Sequence, residues 1–283
     1  MSQADEPTLV QRRAREEARY EAEYERQRTE LRRFVISYPK SGRTWHRIMV
    51  GYYLAREQGQ DASRSMDLPA LCKHAGLPEI TYSHNGANFL DAILPESRVL
   101  ASARLWEDRD VLLIVREPKD TLTSAFFHAR HRSKSFDGSI SVFIRDPATG
   151  IDKLLAAYGR WHREQHRAAS FTVISYEAMH QRAEEALTVS LRALGVPEPN
   201  AARVADAVEF ARFDKMRAYE AGNYFGSGRL HNEGGDPRAA KVRLGVVGGH
   251  RSHLSDDDIA FLEQRIAEAG YPFSDAASSA GGS

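Results

Sequence analysis

The sequence predicts an α/β domain in which a central, mainly parallel sheet is flanked by helices on both faces. Three observations carry that prediction. Four short runs, "RFVIS" at 33–37, "EITYS" at 79–83, "DVLLIV" at 110–115 and "SFTVIS" at 170–175, concentrate β-branched and other apolar residues as buried strands do. Between and after them, apolar residues take helical spacing at 44–57, 118–131, 151–167, 177–193 and 255–268. Alternation of this kind favours parallel pairing, because each return to the start of a parallel strand needs a crossover. Finally, 283 residues with 42% hydrophobic content are enough for one domain with a sizeable core.

Taken in chain order, residues 11–33, "QRRAREEARYEAEYERQRTELRR", set opposite charges three and four apart, as in Arg12/Glu16, Arg13/Glu17 and Arg19/Glu23. That spacing supports a solvated helix. Residues 1–32 are therefore expected to be a charged helical extension, packed to the surface by Tyr20, Tyr24 and Leu31. Residues 33–270 form the main domain, and 271–283 a flexible tail, since the closing "SDAASSAGGS" has almost nothing apolar to bury. Two stretches, 132–150 and 218–252, are long, glycine-bearing and weakly periodic, which in a compact domain points to functional loops.

Composition removes several function classes. Basic and acidic residues balance at 39 each, whereas nucleic-acid binders carry a basic excess. No apolar run approaches a membrane span, and the charged N-terminus lacks an apolar signal core. Cys72 is the single cysteine, so no intrachain disulfide forms and a cytoplasmic location is expected.

The chemistry concentrates where the first strand becomes a helix, in "YPKSGRTW" at 38–45. A helix N-terminus leaves backbone N–H groups and a partial positive charge that attract an anion. Gly42 permits close backbone approach, Ser41 and Thr44 add hydroxyls, Lys40 adds a full charge, and Trp45 offers a flat face for an adenine ring. An ordinary strand-to-helix turn explains Gly42 but not the whole cluster. The order is not that of a Walker A loop, which places a glycine upstream and the lysine after the second glycine. The third strand repeats the grammar in "DVLLIVREPKDTLTSAFFHAR": Arg116 stands at the strand end, Pro118 opens a helix, and Ser124 lies about two turns in. Ligands of open α/β sheets bind at the carboxyl ends of strands, and arginine suits phosphate, so Arg116 and Ser124 are candidates for a second anionic group. The competing account pairs Arg116 with Asp120 as a helix-cap salt bridge.

"YPKSGRTW" closely resembles the 5′-phosphosulfate loop of the cytosolic-type sulfotransferase family, usually Y-P-K-S-G-T-T-W, with Arg43 where threonine is common. The Arg116-to-Ser124 segment resembles that family's 3′-phosphate motif, which has the same spacing of eight. "VISYEAM" resembles its Y-E-D-M strand end and implies Tyr176 near the adenine. "ARFDKMR" resembles T-S-F-x-x-M and implies Phe213 on the adenine face. "KVRLGVVGGHRSHLS" resembles R-K-G-x-x-G-D-W-K-N-x-F-T, matching at Arg243, Gly245 and Gly248, with Leu244 in place of lysine. The resemblance spans roughly residues 33–268 and implies a P-loop-like three-layer fold. It also implies sulfuryl transfer from 3′-phosphoadenosine 5′-phosphosulfate (PAPS) to an acceptor hydroxyl or amine, PAP as product, and no metal. Residues 40–45, Arg116, Ser124, Tyr176, Phe213, Arg243 and Gly245 would hold the nucleotide. Lys40 would meet the negative charge that builds on the leaving phosphate oxygen. Ser124 would bond Lys40 or the 3′-phosphate and restrain hydrolysis.

An acceptor hydroxyl needs a base, and a histidine of ordinary pKa ~6.5 suits neutral pH. His84, in "EITYSHNGANF" just past the second strand, matches the histidine of the family's K-T-H segment, with Tyr82 where the lysine stands. A base of ordinary pKa would make activity rise with pH through its titration. The competing account is a structural histidine bonding a loop; His46 and His74 are less suitably placed. For the acceptor, Phe89, Phe126, Phe127, Phe136, Phe143, Tyr224 and Phe225 suggest an aromatic or apolar small molecule, whereas "HARHRSK" at 128–134 suggests an anionic saccharide. The family's dimer motif, K-x-x-x-T-V-x-x-x-E, is broken, with Arg251, Ser255, Asp256 and Ala260 at its fixed places, which leaves the oligomeric state open. Two further functions compete: a non-catalytic nucleotide-binding protein, to which the departures at Tyr82 and Leu244 point, and a nucleotide-dependent kinase, against which the missing Walker A order argues.

Overall fold

The structure, a computed structural model, describes residues 26, 29–84, 87, 106–228, 230–232, 234–243 and 245–274. Most of the expected N-terminal helix, Phe89 and Leu244 lie outside these residues. Strands β1 (Arg33–Ser37), β2 (Ile80–Ser83), β3 (Asp110–Val115) and β4 (Ser170–Ser175) form one sheet in the order β2-β1-β3-β4, every pair parallel. All four expected strands are present. Register is set along β1, where Arg33 faces Ile80 on one side and Asp110 on the other.

Side chains alternate across a strand, so a sheet covered on both faces needs apolar residues at consecutive positions. That is why these strands read as continuous runs. Phe34 and Ile36 of β1 join Val111, Leu113 and Val115 of β3 in one core; Val35, Leu112 and Ile114 point to the other. The first core is closed by α3 (Pro118–Phe127), α4 (Ile140–Arg145), α5 (Ile151–Glu164) and α10 (Asp256–Glu268), with Tyr158 and Trp161 fully buried. The second is closed by α1 (Arg43–Glu57), α2 (Leu68–His74), α7 (Ala183–Ala193) and α8 (Ala201–Phe210), with the short α6 (Tyr176–Gln181) and α9 (Phe213–Ala221) at its edge. The helix after β1 therefore covers one face and the helix after β3 the other. Their N-termini diverge above adjacent strands and open a crevice there, as at the switch point of other open α/β sheets.

Several expectations need correction. The helix predicted over 177–193 is two helices, because Arg182 leaves helical geometry at φ −137°, ψ 56°. The helix predicted over 118–131 ends its regular part at Phe127. It then takes a wider turn through His128–Arg132, in which the Ser133 N–H donates to the His128 carbonyl five residues back. The loop predicted over 132–150 contains α4, whose start is capped when the Ser139 hydroxyl accepts from Val142 N. Helices α8 and α9 occupy a region without a predicted element; Asn200 caps α8 by accepting from Arg203 N. The packed domain also runs beyond 270, since Tyr271 and Phe273 are buried against Tyr158 in the first core. Among the described residues no helix is long and apolar enough to cross a membrane.

Leu113, central in β3 and fully buried, tests this two-core account. Leu113→Ala is expected to lower unfolding free energy by about 2–5 kcal/mol through lost burial and an unfilled cavity. Val142→Ala, at a position 56% exposed, is expected to change it by less than about 0.5 kcal/mol. Denaturant unfolding of the two variants makes the comparison.

Candidate active site

The turn after β1 is built from left-handed backbone. Lys40 has φ 74° and Gly42 φ 89°, with Ser41 N bonded back to the Tyr38 carbonyl. Positive φ is uncommon outside glycine, and a non-glycine residue held there is a strain that recurs at functional sites. Successive turns of this kind gather backbone N–H groups into an anion-binding concavity. At Gly42 a side chain has no room either: an added Cβ would lie 2.6 Å from the Tyr176 ring. Gly42 also begins α1, and no side chain caps that helix. Its first N–H groups therefore face the crevice, which fits an anionic ligand.

One cavity of about 420 Å³ occupies the crevice, within the size range of small-molecule sites. Lys40, Gly42, Arg43, Thr44, Trp45, His84, Arg116, Ser124, Tyr176, Phe213, Arg243 and Gly245 all line it. These are the residues singled out from the sequence, with one exception. Ser41 is fully buried and its hydroxyl pairs with that of Tyr158 at 3.2 Å, so it turns into the first core rather than toward a ligand.

Trp45 donates through Nε1 to the Ala211 carbonyl at 2.8 Å and packs against Tyr176 and His180. Phe213 is pressed by Gly245, where an added Cβ would lie 2.2 Å from its ring. Gly245 is thus required for close packing on Phe213. Arg116 sits beside them. Its guanidinium stacks on Tyr176 at 4.1 Å, donates to the Lys40 carbonyl at 3.0 Å, and stands 3.9 Å from Asp120. The salt bridge that competed with a ligand role therefore exists, though at the limit of contact. The Asp120 carboxylate is occupied elsewhere, accepting from Gly248 N, His250 N and His250 Nδ1 at 2.7–2.9 Å. Glu117, Asp120 and His250 stand close enough to ligate a metal, but these bonds make Asp120 a clasp that holds the 245–252 segment on α3. Arg243 lies over Phe127 at 3.9 Å.

Lys40, His84, Ser124, His128 and Lys241 also line the cavity. His84 Nδ1 is 2.8 Å from the Ser37 carbonyl. A carbonyl can only accept, so Nδ1 carries the proton and Nε2 the lone pair. Burial first, then the charge of Arg43, holds His84 down to about 3. Burial first, then the neighbouring Lys241, Arg132 and Arg116, pushes Lys40 down to about 7. Tyr82 has a different task from the residue it replaces: its hydroxyl shares a hydrogen bond with His46 Nδ1 at 2.9 Å, and Arg47 lies over its ring.

None of the six described aromatics expected to frame an acceptor lines this cavity. Phe126 and Phe143 belong to the first core, with Phe127 and Phe136 packed against it; Tyr224 and Phe225 cluster with Phe210 and Tyr219. Of "HARHRSK", His128 reaches the cavity, whereas Arg130 donates to the Asp137 and Gly138 carbonyls and Arg132 pairs with Glu220 at 3.0 Å. Sequence reasoning missed Lys241, His180, Met216 and Leu230 as lining groups, and Glu220 as their support. Lys241 stands two residues before the flagged Arg243, but no motif singles it out.

A sulfotransferase-domain family model matches residues 32–271. The chain belongs to the sulfotransferase family. Its fold is similar to that of mouse sulfotransferase SULT7A1 complexed with PAP, with TM-score 0.57, 19% identity, and 87% of this chain and 86% of that one covered. It is also similar to retinol dehydratase in complex with androsterone and the inactive cofactor PAP, with TM-score 0.60, 14% identity, and 88% and 84% covered. A second retinol dehydratase structure, with retinol and PAP, gives TM-score 0.58 at 14% identity, with 89% and 85% covered. A search of curated protein sequences gives no significant match.

The buried cavity histidines make a prediction about pH. Burial, as the largest cause, holds His84 and His128 near 3 and His180 near 4, against an ordinary value of 6.5. His46, behind the cavity wall, is likewise held near 3. As pH falls below 6.5 the unfolded chain takes up protons that these folded histidines refuse, so their contribution to stability is full above 6.5 and drains away toward 3. The melting temperature is expected to drop between pH 7 and pH 5, before most carboxylates titrate. His46→Gln should shallow that slope, and a slope unchanged by the substitution would count against the assignment.

Proposed function

We propose that the enzyme transfers a sulfuryl group from PAPS to a hydroxyl, or an amine, of a small-molecule or saccharide acceptor, releasing PAP. The observation that carries this reading is the tautomer of His84: its proton is tied to the Ser37 carbonyl, and its Nε2 lone pair is left to accept another, in the same cavity as Lys40 and Ser124. In this reading Trp45, Tyr176 and Phe213 hold the adenine. Arg116, Arg243 and Ser124 hold the 3′-phosphate. The turn at 40–45 and the N-terminus of α1 hold the 5′-phosphosulfate. Lys40 stabilises the oxygen of the leaving phosphate, where negative charge grows during the reaction. His84 takes the acceptor's proton. Such transfer asks for positioning and charge more than for covalent help, as phosphoryl transfer does. That none of the six described aromatics lines the cavity, and that His84, His128 and Lys241 do, favours a polar acceptor over a flat apolar one.

Calorimetry tests the nucleotide. Each lost charge-assisted phosphate contact costs about 1.5–3 kcal/mol, so PAP is expected to bind at least tenfold more tightly than AMP; equal affinities would remove the 3′-phosphate assignment. Mutant kinetics test the roles. Lys40→Ala is expected to lower turnover more than PAP affinity, because the charge it meets is largest in the transition state. His84→Ala should lose about 10²–10⁴-fold in turnover with PAP binding nearly intact.

The pH profile tests both groups at once. For an alcohol acceptor, kcat/KM reports the ionisation of the free enzyme. His84, near 3, stays unprotonated throughout the neutral range, so the rise expected of an ordinary histidine should not appear there. Lys40, near 7, loses its proton as pH rises, so kcat/KM for PAPS is expected to fall above about pH 7. A rise centred near 6.5 would restore the ordinary histidine.

A further inference from the structure

Lys241 lines the cavity with no role in the reading above. It comes from the 222–255 connection, far in sequence from the turn that carries Lys40, yet both line one cavity and its charge is the largest that Lys40 feels. Its charge is also felt by His84 and by His128, which line the same cavity. The backbone beneath it is locked. Glu220, only 3% exposed, accepts from Lys241 N and from Val242 N at 2.8 Å each and from Arg132 at 3.0 Å. Arg132 in turn donates to the Ala239 and His231 carbonyls. This brace joins α9, the end of α3 and the segment before Arg243, and it fixes where the lysine stem leaves the chain.

The charged groups around Lys241 are Lys40, Arg43, Arg47 and Arg132, with one carboxylate, Glu220. Two ammonium groups in one cavity repel, and a fold that keeps both there is suited to an anion that neutralises them. Arg116 stacks on Tyr176 and Arg243 on Phe127, whereas the two lysines line the same cavity as the candidate base. Burial first, then Arg132 and Arg43, brings Lys241 down to about 8, which still leaves it charged at neutral pH.

We propose that Lys241 is a second catalytic cation, whose ammonium binds the oxygens of the sulfuryl group in transfer while Lys40 attends the leaving phosphate. This rests on the PAPS reading above. In the step, the acceptor oxygen forms its bond to sulfur. The bond from sulfur to the 5′-phosphate oxygen breaks, leaving its electron pair on that oxygen. The acceptor's proton passes to His84 Nε2. Lys241 donates hydrogen bonds throughout and keeps its own proton.

The test compares Lys241→Gln and Lys241→Arg in the full chain, using PAP and PAPS binding and single-turnover transfer. PAP lacks the sulfuryl group, so Lys241→Gln is expected to keep PAP affinity within about threefold, which also shows that the variant folds, and to lose preference for PAPS over PAP. Its transfer rate should fall about 10²-fold, as when one oxyanion donor is removed. Lys241→Arg, which keeps the charge, should recover about tenfold of that loss. A rate within about threefold of wild type overturns the proposal. So does an unchanged rate with a raised KM for the acceptor, which would make Lys241 an acceptor anchor. Equal loss of PAP and PAPS binding would instead place it in the nucleotide site. Failure of the parent reading looks different: the wild-type chain would bind PAP no better than AMP, and the assignment of Lys241 would fall with it.

Discussion

Two turns arrive side by side because β1 and β3 are parallel neighbours, and Arg116 ties them together. Its guanidinium donates to the carbonyl of Lys40, whose left-handed backbone would otherwise relax. Its backbone N–H donates to the hydroxyl of Tyr158, which also meets Ser41 of the other turn. One buried phenol and one arginine thereby hold the two candidate anion sites in mutual register. The sheet supplies proximity, and these bonds supply the finer positioning that transfer chemistry needs. Arg116 is structural and ligand-facing at once, which explains why a salt bridge to Asp120 and a contact to phosphate are not alternatives.

The cavity that results concentrates positive charge at a cost. Lys40, Arg43, Arg116, Lys241 and Arg243 share it, and Asp120, the carboxylate among its lining residues, is engaged by the 248–250 backbone and by His250. Burying like charges together destabilises the free protein, and it shows in the lowered proton affinity of both lysines. The proposed polyanionic nucleotide would relieve that repulsion on binding. The same burial keeps His84 neutral and fixes its tautomer through Ser37, which is what a base requires.

The strands and the order of the motifs were legible in the sequence, because each depends on local chemistry, and twelve of the thirteen singled-out residues line one cavity. A buried two-faced strand must be a continuous apolar run, as 110–115 is. A turn at the head of a helix that takes an anion must combine glycine with donors, as 40–45 does. Ser41 misled because a hydroxyl looks the same facing a ligand or a core, and only the position of Tyr158 separates the two cases. The aromatics misled for the same reason: Phe126 and Phe143 lie near the site in sequence, but the helices that carry them turn them into the first core.

What the sequence determined by itself is a set of candidates: a lysine, an arginine and a histidine at or just past strand ends, beside a turn suited to an anion. Tertiary structure alone decided what surrounds them. It placed Lys241 beside Lys40 across 201 positions of chain, through a brace of Glu220 and Arg132 that no local pattern announces. It moved the proton equilibria of His84 and Lys40 far from their ordinary values, since desolvation and neighbouring charge depend on which elements close over a group rather than on the residues next to it in the chain.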